Sequence, residues 1–274
     1  MMFEKKYIYA FFFLLCACSK GKKETPEVDP PGQKEVTVKT MTYNIYGARS
    51  GGIPDLQAIA DVIRRADPEL VALQEVDKFT TRNEKNGDIA RELARLTNMD
   101  YFFAKAIDTY GGAYGDAVLS KLPVKEKKAY NLEVDPALGG ERRSVARVLV
   151  EKEGRQFYFI STHFDHLGDE RNRIRQAQDF VALAKTFDKP VIVGGDFNAL
   201  PTSNTIGIVR GHFSLGCLNG DCTQFTFSTA SPNRTIDYLM YAPLNAFSTR
   251  LYSVYDWANK ESDHFPVLAT FTVK

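Results

Sequence analysis

Polar side chains that could bind a metal and a phosphate recur at the ends of apolar runs in this 274-residue sequence. Glu75 follows the run 70–74, and Asp196 follows the run 191–195. Each such residue alone fits an ordinary turn or a solvated charge, but ligands of α/β sheets collect outside strand ends. The repeated placement therefore predicts that these side chains converge on one site. The full set is Asn44, Glu75, His163, Asp196, Asn198, Asp237, Asp263 and His264.

Carboxylates, amides and imidazoles brought together suit the cleavage of phosphate esters. That reaction needs charge neutralised on the non-bridging oxygens, a water activated and the leaving oxygen stabilised. Hard oxygen ligands favour Mg²⁺, which keeps several waters and uses one or two carboxylates. Glu75 is the natural carboxylate ligand, so the sequence predicts a Mg²⁺ site here, with Mn²⁺ as an acceptable substitute.

Hydrophobic patterning predicts the elements that must position these residues. Residues 54–66 carry apolar side chains at helical spacing, whereas 70–74 and 190–194 are short continuous apolar runs typical of buried strands. Because helices and strands intersperse early and strands dominate late, one α/β domain over residues 36–274 is expected. The remaining predicted strands are 36–44, 101–106, 116–120, 124–130, 144–151, 156–162, 235–241, 247–254 and 266–273, and the remaining predicted helices are 88–97 and 172–187.

The ordered series of polar residues resembles the endonuclease/exonuclease/phosphatase superfamily, which includes abasic-site endonucleases, DNase I, neutral sphingomyelinases, deadenylases and inositol-polyphosphate 5-phosphatases. The resemblance runs over residues 41–267 in the family's order and implies a four-layer α/β/β/α sandwich, with two mixed β-sheets flanked by helices, and a metal-dependent phosphoesterase. The matching pieces are Asn44, Gln74-Glu75, Gly115–Ser120, Arg143, Thr162-His163, Gly195-Asp196-Phe197-Asn198, Ile236-Asp237-Tyr238 and Ser262-Asp263-His264.

The resemblance also implies roles at the metal and at the water. Asn44 assists Glu75 at the metal, and Asp263 lies near it. Asp196 orients or deprotonates the attacking water, and Asn198 hydrogen-bonds the phosphate or positions Asp196.

The histidines complete the catalytic set implied by the resemblance. Asp237 orients His264, whose ring faces the phosphoryl group, and His163 donates to a phosphate oxygen. Abasic-site endonucleases have Tyr in the region of His163, so the chain resembles the sphingomyelinase, deadenylase and phosphatase branches more closely. The sequence leaves open whether Asp196 or His264 is the general base.

Three further residues are candidates for substrate contact. Arg143 can clamp the phosphate, although neighbouring arginines make a surface role an alternative. Tyr114 lies in a glycine-rich stretch, where a plain turn is the alternative, and Asp165 extends the loop after His163.

The N-terminus has the pattern of an export signal. Lys5 and Lys6 precede the apolar run Tyr7–Leu15, which is shorter than the roughly 20 residues that a membrane-spanning helix needs. The segment Leu15-Cys16-Ala17-Cys18 resembles a bacterial lipobox, which implies a signal peptide over residues 1–17 and a lipid on Cys18. An ordinary secretory signal is the alternative.

The residues after Cys18 predict a flexible tether over 18–35, because they offer almost no large apolar side chain. We therefore expect a lipid-anchored protein of the bacterial cell envelope, at the outer membrane, with the leaflet left open. In this disulfide-permissive location, Cys217 and Cys222 flank a turn-rich segment and are expected to form a local disulfide. Two reduced thiols, and less plausibly a zinc pair, are the alternatives.

Composition narrows the function. Hydrophobic residues make up 44% and charged residues 25%, which excludes a largely disordered, collagen-like or multi-span membrane protein. The 35 basic and 34 acidic residues provide no global basic field for nucleic acid.

The predicted function is that of a Mg²⁺-dependent phosphoesterase, either a monoesterase or a diesterase. Its substrate is a lipid headgroup, a sugar phosphate or a nucleic acid, and no protein partner is expected. The alternatives are an envelope nuclease that scavenges nucleic acid and a non-catalytic binding lipoprotein.

Overall fold

Two six-stranded mixed sheets form the centre of the fold. The computed structural model describes residues 35–83, 87–218 and 222–274, and Glu35–Lys274 is one compact unit. The strands are β1 Val36–Asn44, β2 Leu70–Lys78, β3 Asp100–Thr109, β4 Gly112–Ser120, β5 Val124–Leu132, β6 Arg143–Lys152, β7 Arg155–His163, β8 Val191–Asp196, β9 Ser214–Leu215, β10 Asp237–Ala242, β11 Phe247–Val254 and β12 Val267–Val273. The helices are α1 Leu56–Ala66, α2 Ile89–Thr97, α3 Arg171–Ala184 and α4 Asn204–Arg210.

The sheets follow the same plan of parallel and antiparallel pairs. The first sheet has the order β11-β12-β1-β2-β4-β3, and the second has the order β5-β6-β7-β8-β10-β9. In each sheet one central pair is parallel, β1 with β2 and β7 with β8, and the other neighbours are antiparallel.

Apolar side chains fill three layers of contact. One core lies between the two sheets and includes Val38, Phe159 and Phe271. A second core joins the outer face of the first sheet to α1 and α2, and a third joins the second sheet to α3 and α4. The predicted α/β/β/α sandwich is confirmed.

Glycines let the two sheets approach closely just before the site. A Cβ on Gly194 would lie 2.8 Å from the Cβ atoms of both Ala72 and Thr42 on the opposite sheet. Gln74 Nε2 also donates across this gap to Ser161 Oγ at 2.9 Å. Buried polar groups need such partners, so this bond ties β2 to β7 immediately before Glu75 and His163.

Each predicted helix and strand has a counterpart, but some boundaries differ. The strand expected at 70–74 continues to Lys78, because a bulge between Leu73 and Val76 lets pairing resume. The glycine-rich stretch around Tyr114, for which a plain turn was the alternative, is paired backbone in β4 from Gly112 onward. Sequence reasoning missed β9 and α4, which are too short for a periodic pattern.

The predicted signal peptide, lipidated Cys18 and tether up to residue 34 lie outside the described residues. Within the described part of the chain, no helix combines the length and the apolar character needed to cross a membrane.

Candidate active site

Strand register brings the predicted residues to one edge of the two sheets. In the second sheet, Asp196 at the end of β8 is paired with His163 of β7 on one side and with Asp237 of β10 on the other. In the first sheet, Asn44 at the end of β1 is paired with Gln74, directly before Glu75. The convergence expected at strand ends is therefore seen in both sheets.

Two site residues have left-handed backbone conformations. Glu75 sits in the β2 bulge with a φ of 59°, and Asn198 has a φ of 47°. Such conformations are costly for residues other than glycine and tend to persist where the surroundings enforce them. The Asn198 turn is closed by its own backbone N–H, which donates to Asp196 Oδ1 at 2.8 Å.

The Asn44 amide links the two sheets. Its Nδ2 donates to Glu75 Oε1 at 3.1 Å and to Asp196 Oδ2 at 3.1 Å, and it lies 3.4 Å from His264 Nε2. Its Oδ1 accepts from the backbone N–H of Tyr46 at 3.1 Å. In this arrangement Asn44 holds two carboxylates in place through its amide nitrogen, while its amide oxygen is engaged by Tyr46.

His264 and Asp237 form a buried pair. The distances from His264 Nδ1 to the two Asp237 oxygens are 3.1 and 2.9 Å. Burial alone would lower the pKa of His264, but the negative charges of Asp237 and Asp196 outweigh it and raise that pKa to about 10. His264 is therefore an imidazolium near neutral pH, with Nε2 at 3.7 Å from Asp196 Oδ2.

Asp196 is buried between these groups. Burial, reinforced by repulsion from Asp237, raises the pKa of its carboxyl group. The residue is 1% exposed, so its carboxylate can act only on a molecule that enters the pocket.

His163 is the neutral imidazole of the site. Burial, with the positive charge of Arg143 nearby, lowers its pKa well below 6.5. Arg143 Nη1 lies 3.4 Å from its Nδ1, and Asn198 Nδ2 lies 2.9 Å from its Nε2. Both neighbours are donors, and a neutral ring accepts from only one of them at a time. A phosphate oxygen that engages Asn198 would thus leave His163 Nε2 to carry a proton and donate.

Arg143 is a buried cation beside the pocket, 2% exposed. Its guanidinium is paired with Glu141 at 3.1 Å and lies 3.1 Å from His166 Nδ1. Tyr114 lines the same pocket, and burial raises the pKa of its hydroxyl well above 10. The structure therefore brings Arg143 and Tyr114 to the site, together with His166.

Asp165 does not reach the pocket. Its Oδ2 accepts from the backbone N–H of Glu141 at 2.9 Å, and its Oδ1 accepts from that of Leu167 at 3.0 Å. Both oxygens are engaged and the residue is fully buried. The expected substrate contact is not what the geometry provides; Asp165 instead organises the loop that carries Glu141.

These side chains enclose a cavity of about 290 Å³. A second cavity of about 220 Å³ shares Glu75, Tyr114 and Glu141 with it and extends toward Arg82 and Tyr110. A larger groove, about 550 Å³, lies near the disulfide and α4 and is lined by none of the predicted catalytic or metal residues. The walls of the 290 Å³ cavity are formed by Glu75, Tyr114, Glu141, Arg143, His163, His166, Asp196, Asn198, Phe227, Arg234, Ile236, Asp263 and His264.

The donor set fits a hard divalent cation. Burial raises the pKa of Glu75, and the nearby Asp263 adds to this effect, so a cation between them would relieve the repulsion. Asp196, Asp237 and His264 also have ligand atoms within 4.8 Å of one another. However, a cation there would compete with the His264–Asp237 hydrogen bond, which leaves Glu75 and Asp263 as the better-suited carboxylates.

The two cysteines of the domain are joined. Cys217 and Cys222 form a disulfide with their Cα atoms 5.4 Å apart. It closes the short segment after β9, beside the groove that lies away from the catalytic residues.

Comparison with known proteins agrees with this architecture. The uncharacterized protein YbhP of Escherichia coli (strain K12) is 26% identical in an alignment of 187 residues that covers 62% of this chain and 70% of YbhP. An endonuclease/exonuclease/phosphatase from Beutenbergia cavernae has a TM-score of 0.73 at 22% identity, covering 86% of this chain and 72% of that chain. A mannosyl-6-phosphatase from Bacteroides thetaiotaomicron has a TM-score of 0.64 at 19% identity, covering 86% and 99%.

The two structural similarities show a shared fold. The sequence profile of the Endonuclease/Exonuclease/phosphatase family matches residues 41–264, most of the chain and nearly the whole site. The chain therefore belongs to the endonuclease/exonuclease/phosphatase family, whose members hydrolyse phosphoester bonds and usually use divalent metals.

Proposed function

We propose that this protein is a Mg²⁺-dependent hydrolase of phosphate esters. The observation that carries the proposal is the contact of Asn44 with Glu75, Asp196 and His264 in one pocket. A cation ligand, a buried carboxylate and a charged imidazole then face the same small volume. Such an arrangement has no need to exist in a protein that only binds a ligand.

Glu75 and Asp263 are the residues that would hold the metal. When bound, Mg²⁺ supplies positive charge to the phosphate oxygens and orients the substrate. Asn44 contributes by fixing the Glu75 carboxylate at 3.1 Å. Mn²⁺, which accepts the same oxygen ligands, is expected to substitute.

Asp196 and His264 would divide the acid–base work. The Asp196 carboxylate would orient a water toward phosphorus and accept its proton. His264, held by Asp237 through Nδ1, presents a protonated Nε2 to the phosphoryl group. His163 and Asn198 donate to the non-bridging oxygens and spread the negative charge of the transition state.

The substrate proposal is a small or lipid-linked phosphoester. The cavity of about 290 Å³ suits a phosphate with a compact alcohol, and the chain carries no global excess of basic residues. The fold is also that of a mannosyl-6-phosphatase, which acts on a sugar phosphate by its name.

We expect faster cleavage of such substrates than of duplex DNA at about 0.15 M salt, because neutralising many DNA phosphates requires a basic surface. Equal amounts of enzyme would be assayed on sugar phosphates, phospholipids and plasmid DNA with Mg²⁺, Mn²⁺ and Ca²⁺. Degradation of the plasmid alone, with a steep loss as salt rises, would establish the envelope nuclease instead. If no substrate is turned over in a metal-dependent way, the alternative of a non-catalytic binding lipoprotein would be favoured.

We further propose that the protein is anchored in the bacterial envelope through lipid on Cys18, on the strength of the segment Leu15-Cys16-Ala17-Cys18. Cys18→Ala should release the protein from membranes or block its maturation. Cys16→Ala is the matched control and should leave both unchanged. Fractionation and the mass of the mature N-terminus measure the outcome, and a processed Cys18→Ala protein that stays in the membrane would contradict lipidation there.

A further inference from the structure

Arg234 lies at the mouth of the pocket in a fixed position. It lines the same cavity as His264 and Asp263. Its backbone is held by reciprocal hydrogen bonds with Phe227: Arg234 N donates to Phe227 O at 3.2 Å, and Phe227 N donates to Arg234 O at 3.1 Å. Phe227 in turn is bridged to His264. The arginine is therefore mounted on a short hairpin that is attached to the catalytic histidine.

Aromatic stacking orders this side chain without neutralising it. The guanidinium carbon of Arg234 lies 4.5 Å from the centre of the Phe227 ring. The other contact of that ring is His264, with ring centres 4.7 Å apart. Phe227 thus contacts both Arg234 and His264, and it restricts the motion of an otherwise exposed arginine.

No acidic partner for Arg234 occurs among the residues that the structure describes. The other arginines near the site differ: Arg143 is paired with Glu141 at 3.1 Å, and Arg82 is paired with Asp77 at 2.8 Å. Hydrogen bonds to the Arg234 side chain are likewise absent from residues 35–83, 87–218 and 222–274, which leaves its planar donor fork open to solvent at the pocket mouth. An ordered cation in this state is suited to receive an anion from the substrate.

We propose that Arg234 binds a second phosphate of the substrate, carried on the alcohol portion beside the phosphate being cleaved. The inference rests on the proposed function, since it assigns specificity to that same pocket. The guanidinium would donate two parallel hydrogen bonds to the distal phosphate. Substrates with two phosphates would then be held in one orientation, with one phosphate at His264 and the other at Arg234.

Two kinds of molecule offer this chemistry. A small bisphosphate carries the second phosphate on the same sugar or polyol, and a polynucleotide carries it on the adjacent nucleotide. Two substrate pairs distinguish them: glucose 6-phosphate against glucose 1,6-bisphosphate, and the dinucleotide TpT against its phosphorylated form pTpT.

The test measures how much the second phosphate raises kcat/KM within each pair. For the wild-type protein we expect a gain of about fivefold to tenfold in at least one pair, mainly through a lower KM, which is the range of a charge-assisted contact near solvent. Arg234→Ala should abolish the gain, while Arg234→Lys, which keeps the charge but not the fork, should retain part of it. The substrate pair in which the second phosphate raises kcat/KM shows whether the natural substrate is a small bisphosphate or a polynucleotide.

Arg65→Ala is the matched control. Arg65 is also an exposed arginine stacked on an aromatic ring, with its guanidinium carbon 3.9 Å from the centre of the Trp257 ring, but it lies on α1 outside the pocket. It should leave the gain unchanged. Equal gains in wild type and Arg234→Ala, or no gain in either pair for the wild type, would overturn the assignment.

A reporter with one phosphate separates this result from failure of the proposed function. Bis(p-nitrophenyl) phosphate should be hydrolysed by the wild type and by the control Arg65→Ala to within about twofold. If neither protein hydrolyses the reporter or any substrate pair, the proposed function has failed. Calorimetric binding of glucose 1,6-bisphosphate and of pTpT then decides the inference: weaker binding of at least one by Arg234→Ala supports it, and equal affinity for both overturns it.

Discussion

His264→Ala is expected to lower kcat for a phosphoester by about 10²–10⁴-fold at saturating metal, the range lost with a positioned proton-transfer group. The imidazolium is held by Asp237 at 2.9 Å, and its Nε2 lies 3.7 Å from Asp196 Oδ2. Alanine removes the charge that His264 would bring to the phosphoryl group. His163, whose Nε2 lies 3.5 Å from Asp196 Oδ2, is a neutral imidazole and does not replace that charge. The expected change is therefore in kcat more than in KM.

The controls separate catalysis from folding. His212→Ala is the matched variant, because His212 packs against Phe213 away from the pocket, and it should retain wild-type activity. Asp237→Asn should slow the same step, since it weakens the partner that orients the ring. Thermal unfolding of each variant shows whether the fold survives the buried change. A folded His264→Ala protein with a near-wild-type rate would refute the role given to His264.

The strand-end pattern in the sequence predicts the location of the site well because strand pairing is repetitive. Once β7, β8 and β10 pair in a register that aligns their ends, His163, Asp196 and Asp237 lie side by side. The alternation of apolar runs and polar ends therefore predicts that arrangement. Hydrophobic patterning likewise predicts most of the strands in the two sheets and most of the helices that cover them.

The sequence does not predict the local backbone geometry of the site residues. Glu75 was expected to follow a strand, whereas it sits in a bulge with β2 continuing beyond it. Nothing in residues 70–78 signals that bulge, because the pairing with β4 on both sides of it creates the conformation. Gly194 lies in the predicted strand 190–194, but the sequence does not show that its lack of a side chain serves the close approach of the sheets.

Long-range contacts account for the remaining differences. Asp165 is engaged by backbone groups, one of them 24 positions away in sequence, and a sequence pattern does not show such a pairing. His166 and Arg234 line the pocket because a loop and a hairpin fold over it. The signal for Arg234 is its position directly before the predicted strand 235–241, which carries Asp237.

Removal of the metal is expected to abolish activity, and Glu75→Gln should reduce it by roughly 10³-fold at moderate Mg²⁺, as a loss of several kcal/mol of charge stabilisation implies. Glu75 is the carboxylate that Asn44 positions at 3.1 Å, and burial already disfavours its lone negative charge. Glutamine keeps the shape and the hydrogen bond but removes the charge that attracts the cation. Higher Mg²⁺ or Mn²⁺ should restore part of the rate.

A second measurement reports metal binding without turnover. A ligand that binds only the folded state raises the unfolding temperature in proportion to its saturation. The wild type should therefore gain stability with added Mg²⁺ or Mn²⁺, and Glu75→Gln should gain less at the same concentration. Glu133→Gln, an exposed carboxylate after β5, is the matched control and should behave as the wild type in both assays. Undiminished turnover in EDTA, or a Glu75→Gln protein with the wild-type metal response, would show that the reaction does not depend on a cation at Glu75.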